Sequence, residues 1–336
     1  VNSDAAITLL KQFLERSPRS ALEVQVLQGD QHWSWQHGEA TRVESPVFEI
    51  GSVSKVFTTT LLALLVQRGQ VSLADTLSRF YPQLPCVGHI TLQQLASHTS
   101  GLPRDPFSRW GMLYRGRQLI ESFQSDDLIE FLQQLTPAMT ATGKAHYSNV
   151  GMALLGRVLE IVCGQPYAMA VEEHILRPLG MSDTHLDMQQ YDEQRLMQGH
   201  DSRGRPVPPF AWRGMEPAGG WRSTGDDMMT FLRAQVGLYG EGWSSRAELA
   251  TQPLAGMTRD IRTGCGWMLS EHPSIGCVAW HNGGTFGQHS MVAFALKHPT
   301  AVVLLTDRSP PWWHHLMSSR QLESLPVQLL EAINQH

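Results

Sequence analysis

Apolar residues along the chain follow two periods. Ala6, Ile7, Leu10, Phe13 and Leu14 fall at helical spacing and predict an amphipathic helix over residues 4–16. Leu22, Val24 and Val26 alternate with Glu23 and Gln25, the pattern of a half-buried strand. A second strand around Trp33 and Trp35 follows the polar Gly29-Asp30-Gln31 turn, so the two form a hairpin. Residues 56–66 are apolar over most of a helical circumference and stop at Gly69, which predicts a buried helix. The chain is then helical and loop-rich. Ser125 is placed to cap a helix of residues 126–135, with Asp126 and Asp127 in the first turn, where carboxylates suit the dipole. Residues 150–162 form a strongly apolar helix ended by Gly164, and Thr224 with Asp227 is spaced as a capping box for a helix through about Gln235. Residues 187–222, rich in Gly, Pro and Arg, read as a long irregular excursion of the kind that often carries function. Strand patterns return at 266–270, 276–281, 290–296 and 301–306, and Leu322, Leu325, Leu329 and Ile333 mark a final amphipathic helix.

Consecutive strands joined by short turns pair antiparallel. The expected fold is therefore α/β (α+β): one antiparallel sheet built from both chain ends, flanked by the terminal helices, plus a helical lobe from the middle. A division at about 1–51 with 255–336 for the sheet lobe, and 52–254 for the helical lobe, follows from the element order within one catalytic domain.

Composition narrows the function classes. The 336 residues suffice for a large core, and 42% of them are hydrophobic. A net charge near −5, a pI of about 6.3 and no Lys/Arg run argue against a nucleic-acid partner. No apolar stretch approaches the roughly 18 residues that span a bilayer, so no transmembrane segment is expected. Cys86, Cys163, Cys265 and Cys277 lack zinc-like spacing, and no metal is expected. The start at Val1 rather than Met fits a chain from which a leader has been removed.

Candidate chemistry begins at Glu49-Ile50-Gly51-Ser52-Val53-Ser54-Lys55. Ser52 falls at the N-terminus of the apolar helix, where free N–H groups favour a negatively charged oxygen. Lys55 lies three residues on, on the same face, and a lysine entering so apolar a helix loses hydration, which disfavours its ammonium form. Such an amine can take the proton that keeps a serine hydroxyl from being a good nucleophile. The plainer alternative is a serine cap followed by a lysine that reaches the surface. With four lysines in the chain, a chance S-x-x-K is expected roughly 0.3 times at a serine frequency of about 7%. Spacing alone does not decide.

Two further stretches suit an activated serine. In Lys144-Ala145-His146-Tyr147-Ser148-Asn149, an extended segment would point Tyr147 and Asn149 the same way, a phenol beside an amide; the alternative is a packed tyrosine with Asn149 as the cap of the next helix. In Trp280-His281-Asn282-Gly283-Gly284-Thr285-Phe286-Gly287, glycines at a strand end let backbone N–H groups approach an oxyanion; the alternative is a glycine-rich turn.

Gly51-Ser52-Val53-Ser54-Lys55, Tyr147-Ser148-Asn149 and His281-Asn282-Gly283, in that order, resemble the S-x-x-K, Y-x-N and K/H-x-G motifs of class C β-lactamases, penicillin-binding D,D-peptidases and β-lactamase-fold esterases. Leu95-Ala96-Ser97-His98-Thr99-Ser100-Gly101-Leu102-Pro103 is similar to that superfamily's L-x-x-H-T-S-G-L-P segment. Arg177-Pro178-Leu179-Gly180-Met181 resembles its P-L-G-M, and Pro217-Ala218-Gly219-Gly220-Trp221-Arg222-Ser223-Thr224 its A-G-G-x-x-S-T. The resemblance implies a β-lactamase/D,D-peptidase-like fold with the site between sheet and helical lobe. It implies Ser52 as the acylated nucleophile, Lys55 as its base and Tyr147 as the group that passes the proton to the leaving group. Asn149 would hold the substrate's acyl side and orient Lys55, while the N–H groups of Ser52 and Gly284 would form the oxyanion hole beside Gly283. His281 stands where the β-lactamases keep a lysine, and Asn282 where a Thr or Ser hydroxyl commonly binds a carboxylate. Arg308 is the candidate for the basic residue that serves the same task, and His98 is expected to be structural. Trp110, Trp212, Trp221 and Phe286 are candidates for the cleft wall, or equally for the core.

The resemblance thus implies a serine hydrolase without metal or organic cofactor. Its substrate would be a small molecule or peptide: a β-lactam, a D-Ala-D-Ala peptide or an ester. A D,D-carboxypeptidase or β-lactamase-type activity is the first expectation, a carboxylesterase the second and a slowly turning-over penicillin-binding receptor the third. A monomer in the periplasm or outside the cell is expected on the same resemblance.

Overall fold

A computed structural model describes residues 3–16, 20–136, 144–309 and 320–334. The chain opens with α1 (Ser3–Arg16), the hairpin β1 (Leu22–Gln28) and β2 (Gln31–His37), and the short β3 (Phe48–Glu49). Helices follow: α2 (Ser54–Gln67), α3 (Leu92–Ala96), α4 (Arg109–Ser122), α5 (Ser125–Gln133), α6 (Asn149–Cys163), α7 (Tyr167–Val171) and α8 (Arg177–Leu179). The excursion carries β4 (Gly199–His200), β5 (Pro206–Val207), α9 (Glu216–Gly219) and β6 (Arg222–Ser223). Then come α10 (Gly225–Gln235) and α11 (Glu241–Thr251), the strands β7 (Ala255–Gly256), β8 (Ile261–Thr263), β9 (Met268–His272), β10 (Gly276–Gly284), β11 (His289–Ala295) and β12 (Thr300–Thr306), and last α12 (Arg320–Asn334).

The main sheet has eight antiparallel strands in the order β2-β1-β12-β11-β10-β9-β8-β7, so the N-terminal hairpin joins the sheet beside the last strand. Its two faces differ because the strands alternate. Leu22, Val24, Val26, Met291, Ala293, Val302 and Leu304 pack with Ala6, Leu10 and Leu14 of α1 and Leu325, Leu329 and Ile333 of α12. Leu27, Val292, Phe294, Val303 and Leu305 belong to the larger core shared with α2, α6 and α10. Each fully buried side chain of this size contributes about 1.5–3 kcal/mol, so the sheet is held from both sides. The expected α+β architecture, a sheet from both chain ends packed by the terminal helices, is the one observed, and both helices lie on one face. No helix among the described residues is long and apolar enough to cross a membrane. Leu322 and Trp110 lie outside the described side chains.

Several local expectations need correction. Gln124, not Ser125, caps α5, and its N–H donates to Asp127 at 2.8 Å, which confirms that carboxylate as helix-start chemistry. Ser148, not Asn149, caps α6 by accepting the Gly151 N–H at 2.8 Å, and this leaves the Asn149 amide free of capping. Thr224 accepts the Asp227 N–H at 3.2 Å, but the Asp227 carboxylate turns to Asp183 N–H and Thr184, each at 2.8 Å, rather than back to the cap. Strand β10 continues three residues past His281, because its glycines lie flat against a neighbouring backbone instead of turning.

The inward-facing Glu23 of β1 is buried against the start of α10, accepting from Gln25 at 2.8 Å with Asp226 nearby, and burial lifts its carboxyl to about 7. The native state then holds this proton more tightly than the unfolded chain does, whose carboxyl titrates near 4.5. Its contribution is fully present below pH 4.5 and is lost as pH rises through about 7. Glu23→Gln is expected to raise stability at pH 8 by about 2 kcal/mol and to change it little at pH 4. Urea unfolding at both pH values checks this; equal effects would refute it.

Candidate active site

The chain reaches Ser52 through backbone contacts that only certain residues permit. The Ile50 N–H donates to the Trp221 carbonyl at 3.1 Å, and the Ile50 carbonyl accepts the Ser290 hydroxyl at 2.7 Å. Gly51 then turns with φ of +47°, and a Cβ there would stand 2.7 Å from the Gly284 nitrogen. A residue with a side chain would suffer both strain and collision. The turn Gly51–Val53 leads directly into α2, so Ser52 sits one residue before the last turn residue rather than at a formal helix cap.

Lys55, in the first turn of α2, is completely buried. Its Nζ donates to Ser52 Oγ at 2.9 Å and to the carbonyl of Ala218, and lies 4.8 Å from the centre of the Tyr147 ring. Burial, helped by the Arg104 guanidinium and opposed by Asp105, holds its amine well below the ordinary lysine range. Helix α9 supplies the Ala218 carbonyl because α2 is tied to it: the Thr58 hydroxyl donates to the Pro217 carbonyl at 2.8 Å. Burial thus disfavours the charged form in this cradle, and an amine without its extra proton has a lone pair to offer.

Tyr147 is held over the same point. Its phenol hydrogen-bonds with the Ser52 hydroxyl, and burial raises it above the ordinary tyrosine value despite that bond and the nearby Arg104. His98, in a left-handed conformation with φ of +60°, grips both flanks of Tyr147: its carbonyl accepts the His146 N–H at 2.7 Å and its Nδ1 the Ser148 N–H at 3.2 Å. The His98 ring also packs on Tyr147, with centroids 4.5 Å apart. Its structural role stands, and its closeness to the site is now specific. Asn149 donates to Asp105 at 2.7 Å, while its carboxamide oxygen is buried with no hydrogen-bond partner among the described residues. Lys55 is oriented by Ser52 and Ala218, whereas Asn149 offers an acceptor to whatever enters.

Strand β10 closes the other side. Gly283 lies on the Ile50 peptide, where a Cβ would overlap the Ile50 carbonyl oxygen. His281 is buried, and its Nδ1 lies 2.7 Å from the Asn282 carbonyl. Since a carbonyl only accepts, Nδ1 carries the proton and Nε2 is left as a bare acceptor. Burial, then the nearby Lys55, pushes the imidazole down to about 3, so it is uncharged at working pH.

Ser52, Lys55, Tyr147, Asn149, His281, Gly283 and Gly284 therefore converge from the Gly51–Val53 turn with the first turn of α2, from the segment entering α6, and from β10. Trp221 and Arg308 do not. Trp221 is core, edge-on to Phe57 at 5.9 Å and donating to the Tyr167 hydroxyl at 3.2 Å. The Arg308 guanidinium packs beside Gly204, in the turn of residues 201–205. Trp212 does stand near the site, with its ring 6.0 Å from Lys55 Nζ, whereas Phe286 is exposed and packs on Phe210 at 5.3 Å. Sequence reading missed Arg104 and Asp105, which follow the Leu102-Pro103 pair and reach the site only because their loop folds onto the start of α6. The Arg104 carbonyl accepts the Asn149 N–H at 2.8 Å, and its guanidinium lies 5.3 Å from the Tyr147 ring. No group of His, Cys, Asp and Glu among the described residues is arranged to hold a metal ion.

The family model for Beta-lactamase matches residues 8–322. A β-lactamase from Pseudomonas fluorescens is 28% identical over 202 residues, covering 58% of this chain and 53% of that protein. Penicillin-binding protein 4* from Bacillus subtilis (strain 168) is 26% identical over 305 residues, covering 82% of this chain and 65% of that protein. The chain thus spans between half and two thirds of the length of these relatives. Among solved structures, a class C β-lactamase from Rhodobacter sphaeroides shares the fold with a TM-score of 0.81 over 98% of this chain and 99% of that one, at 24% identity. With nearly its whole length matched and the motif residues of three separate elements meeting at one serine, the chain belongs to the Beta-lactamase family of serine hydrolases.

Proposed function

We propose that the protein hydrolyses an amide or β-lactam through an acyl-enzyme on Ser52, with an activity of the D-alanyl-D-alanine carboxypeptidase/β-lactamase type. The observation that carries this reading is the contact of the fully buried Lys55 amine, whose charged form burial disfavours, with Ser52 Oγ at 2.9 Å. Lys55 accepts the hydroxyl proton as Oγ attacks the carbonyl carbon. The N–H groups of Ser52 and Gly284 receive the oxyanion. Tyr147, whose burial keeps its phenol protonated, gives that proton to the leaving nitrogen as it takes one from Lys55. In the second half, the same relay takes a proton from the water that attacks the ester and returns one to Ser52 Oγ as the acyl–oxygen bond breaks. Asn149, with its free carboxamide oxygen, and the β10 edge at Asn282 and Gly283 hold the substrate on either side. The names of the β-lactamases and of penicillin-binding protein 4* among the relatives support this substrate class.

Intact-mass measurement after mixing with a penicillin tests the reading. The wild type is expected to gain one penicillin mass and Ser52→Ala none; an equal gain in both would remove Ser52 as nucleophile. Adduct lifetime sorts a β-lactamase (short) from a peptidase or a receptor (long).

One observation favours a second reading, an esterase. His281 is uncharged and Arg308 is turned to Gly204, so neither offers a cation to a substrate carboxylate. Cleavage of a nitrophenyl ester with no penicillin adduct and an intact D-Ala-D-Ala peptide would establish the esterase in place of the first reading.

A further inference from the structure

Residues 208–212 run past the site without any regular secondary structure, between β5 and α9. Side chains hold this strap. Glu49 and Arg222 stand opposite each other in the β3–β6 ladder, both buried, with Glu49 Oε1 and Arg222 Nη2 3.5 Å apart. The two grip one residue from both sides: Glu49 Oε1 accepts the Phe210 N–H at 2.5 Å, and Arg222 Nη2 donates to the Phe210 carbonyl. Arg222 Nη1 also donates to the Leu186 carbonyl at 3.1 Å. From outside, Arg117 donates to the carbonyls of Pro208 and Pro209 at 2.8 and 2.5 Å. Two residues beyond Phe210, the Trp212 ring lies against Gly219, where a Cβ would come within 2.5 Å of it. Gly219 follows Ala218, the residue whose carbonyl orients Lys55. Tyr147 covers Lys55 on one side at 4.8 Å, and Trp212 covers another at 6.0 Å.

A buried ion pair is expensive to desolvate, and similar apolar residues would often stabilise a core as well. Here the pair satisfies both the N–H and the carbonyl of Phe210, in an irregular segment whose Pro208 and Pro209 carbonyls are taken by Arg117. We propose that Glu49 and Arg222 are positioning residues of the active site, which fix the Phe210 peptide and thereby keep Trp212 in place as the cover that excludes water from Lys55. The proposal rests on the reading of Lys55 as the base for Ser52. The groups facing Lys55 are Ser52, Tyr147, His98, His281, Arg104 and Asp105, and Arg104 and Asp105 offset each other in sign. Dehydration is therefore what the strap controls: with water admitted, the amine regains its proton at higher pH.

The test is the pH dependence of kcat/KM on a nitrophenyl ester. Glu49→Ala removes the acceptor for Phe210, whereas Glu49→Gln keeps a carboxamide oxygen there. Phe210→Pro removes the N–H while leaving both charges paired, and Phe210→Leu controls for loss of the ring. The acid limb is expected to move up by about one pH unit in Glu49→Ala and Phe210→Pro, a tenfold loss on that limb. It should stay at the wild-type position in Glu49→Gln and Phe210→Leu. A limb that remains in place in Phe210→Pro overturns the proposal even where Glu49→Ala fails to fold. Lys55→Met separates the two levels: an active Lys55→Met enzyme with the limb intact would sink the assignment of the base, and with it the strap. An inactive Lys55→Met beside unmoved strap variants would sink the strap alone.

Discussion

Lys55→Met is expected to cut the rate of Ser52 acylation by on the order of a thousandfold or more, and at the same time to make the protein more stable at neutral pH. The loss follows from geometry: Lys55 Nζ is the amine that Ser52 Oγ meets, at 2.9 Å, and methionine fills the space without a lone pair of comparable basicity. The gain follows from proton linkage. Folding lowers the amine below its ordinary 10.5, so the native state binds fewer protons than the unfolded chain in the interval between the two values. The wild type therefore loses stability as pH falls from 10.5 through that interval, while the methionine variant does not. A stabilisation of about 1 kcal/mol is expected at pH 7 and is to vanish near pH 11. Stopped-flow acylation and urea denaturation at the two pH values are the measurements. A variant both inactive and less stable at pH 7 would contradict the picture of a strained, dehydrated amine.

Gly283→Ala is expected to lower kcat/KM by on the order of a hundredfold. The added Cβ would overlap the Ile50 carbonyl oxygen, which already accepts the Ser290 hydroxyl at 2.7 Å, so β10 must move away from the serine-bearing turn. Gly284, whose nitrogen packs against Gly51, would move with it and misplace a donor for the oxyanion. The same crowding should cost about 1–3 kcal/mol of stability. The expected signature is a fall in kcat with little change in KM on a nitrophenyl ester. Wild-type activity in a folded Gly283→Ala protein would show that β10 is not what sets the oxyanion geometry.

Much of the fold was legible because its sheet strands announce themselves by alternation. Leu22, Val24 and Val26 gave the strand, and the turn at 29–31 gave its pairing with β2, but β1 is buried on both faces rather than half-buried, since Glu23 and Gln25 are covered as well. What stayed hidden is of two kinds. The short β7 and β8 and the helix α11 carry too few apolar residues for a period to emerge. The end of β10 was misread because Gly283 and Gly284 look like a turn in sequence, whereas they are glycines so that two backbones can touch. At the site, Ser52, Lys55, Tyr147 and His281 could be nominated from residue type and order. The partners that tune them could not: the Ala218 carbonyl, the Arg104–Asp105 loop and the Glu49–Arg222 grip act across 44 residues or more, where no local spacing points to them. Trp221 illustrates the converse, since an aromatic residue within a site motif belongs to the core beneath it.

The pairing of β1 with β12 joins residues 22–28 to residues 300–306. A chain emerging from the ribosome can form the hairpin and the helices early, yet the hairpin's inner edge has no neighbour until nearly all of the protein has been made. During that wait an unpaired strand of alternating apolar residues is open to other chains. Assembly of the site shares the delay, because its floor comes from residues near 50 and its wall from residues near 283. A product truncated before residue 300 would thus carry the serine, the lysine and the tyrosine and still be catalytically silent and prone to aggregate.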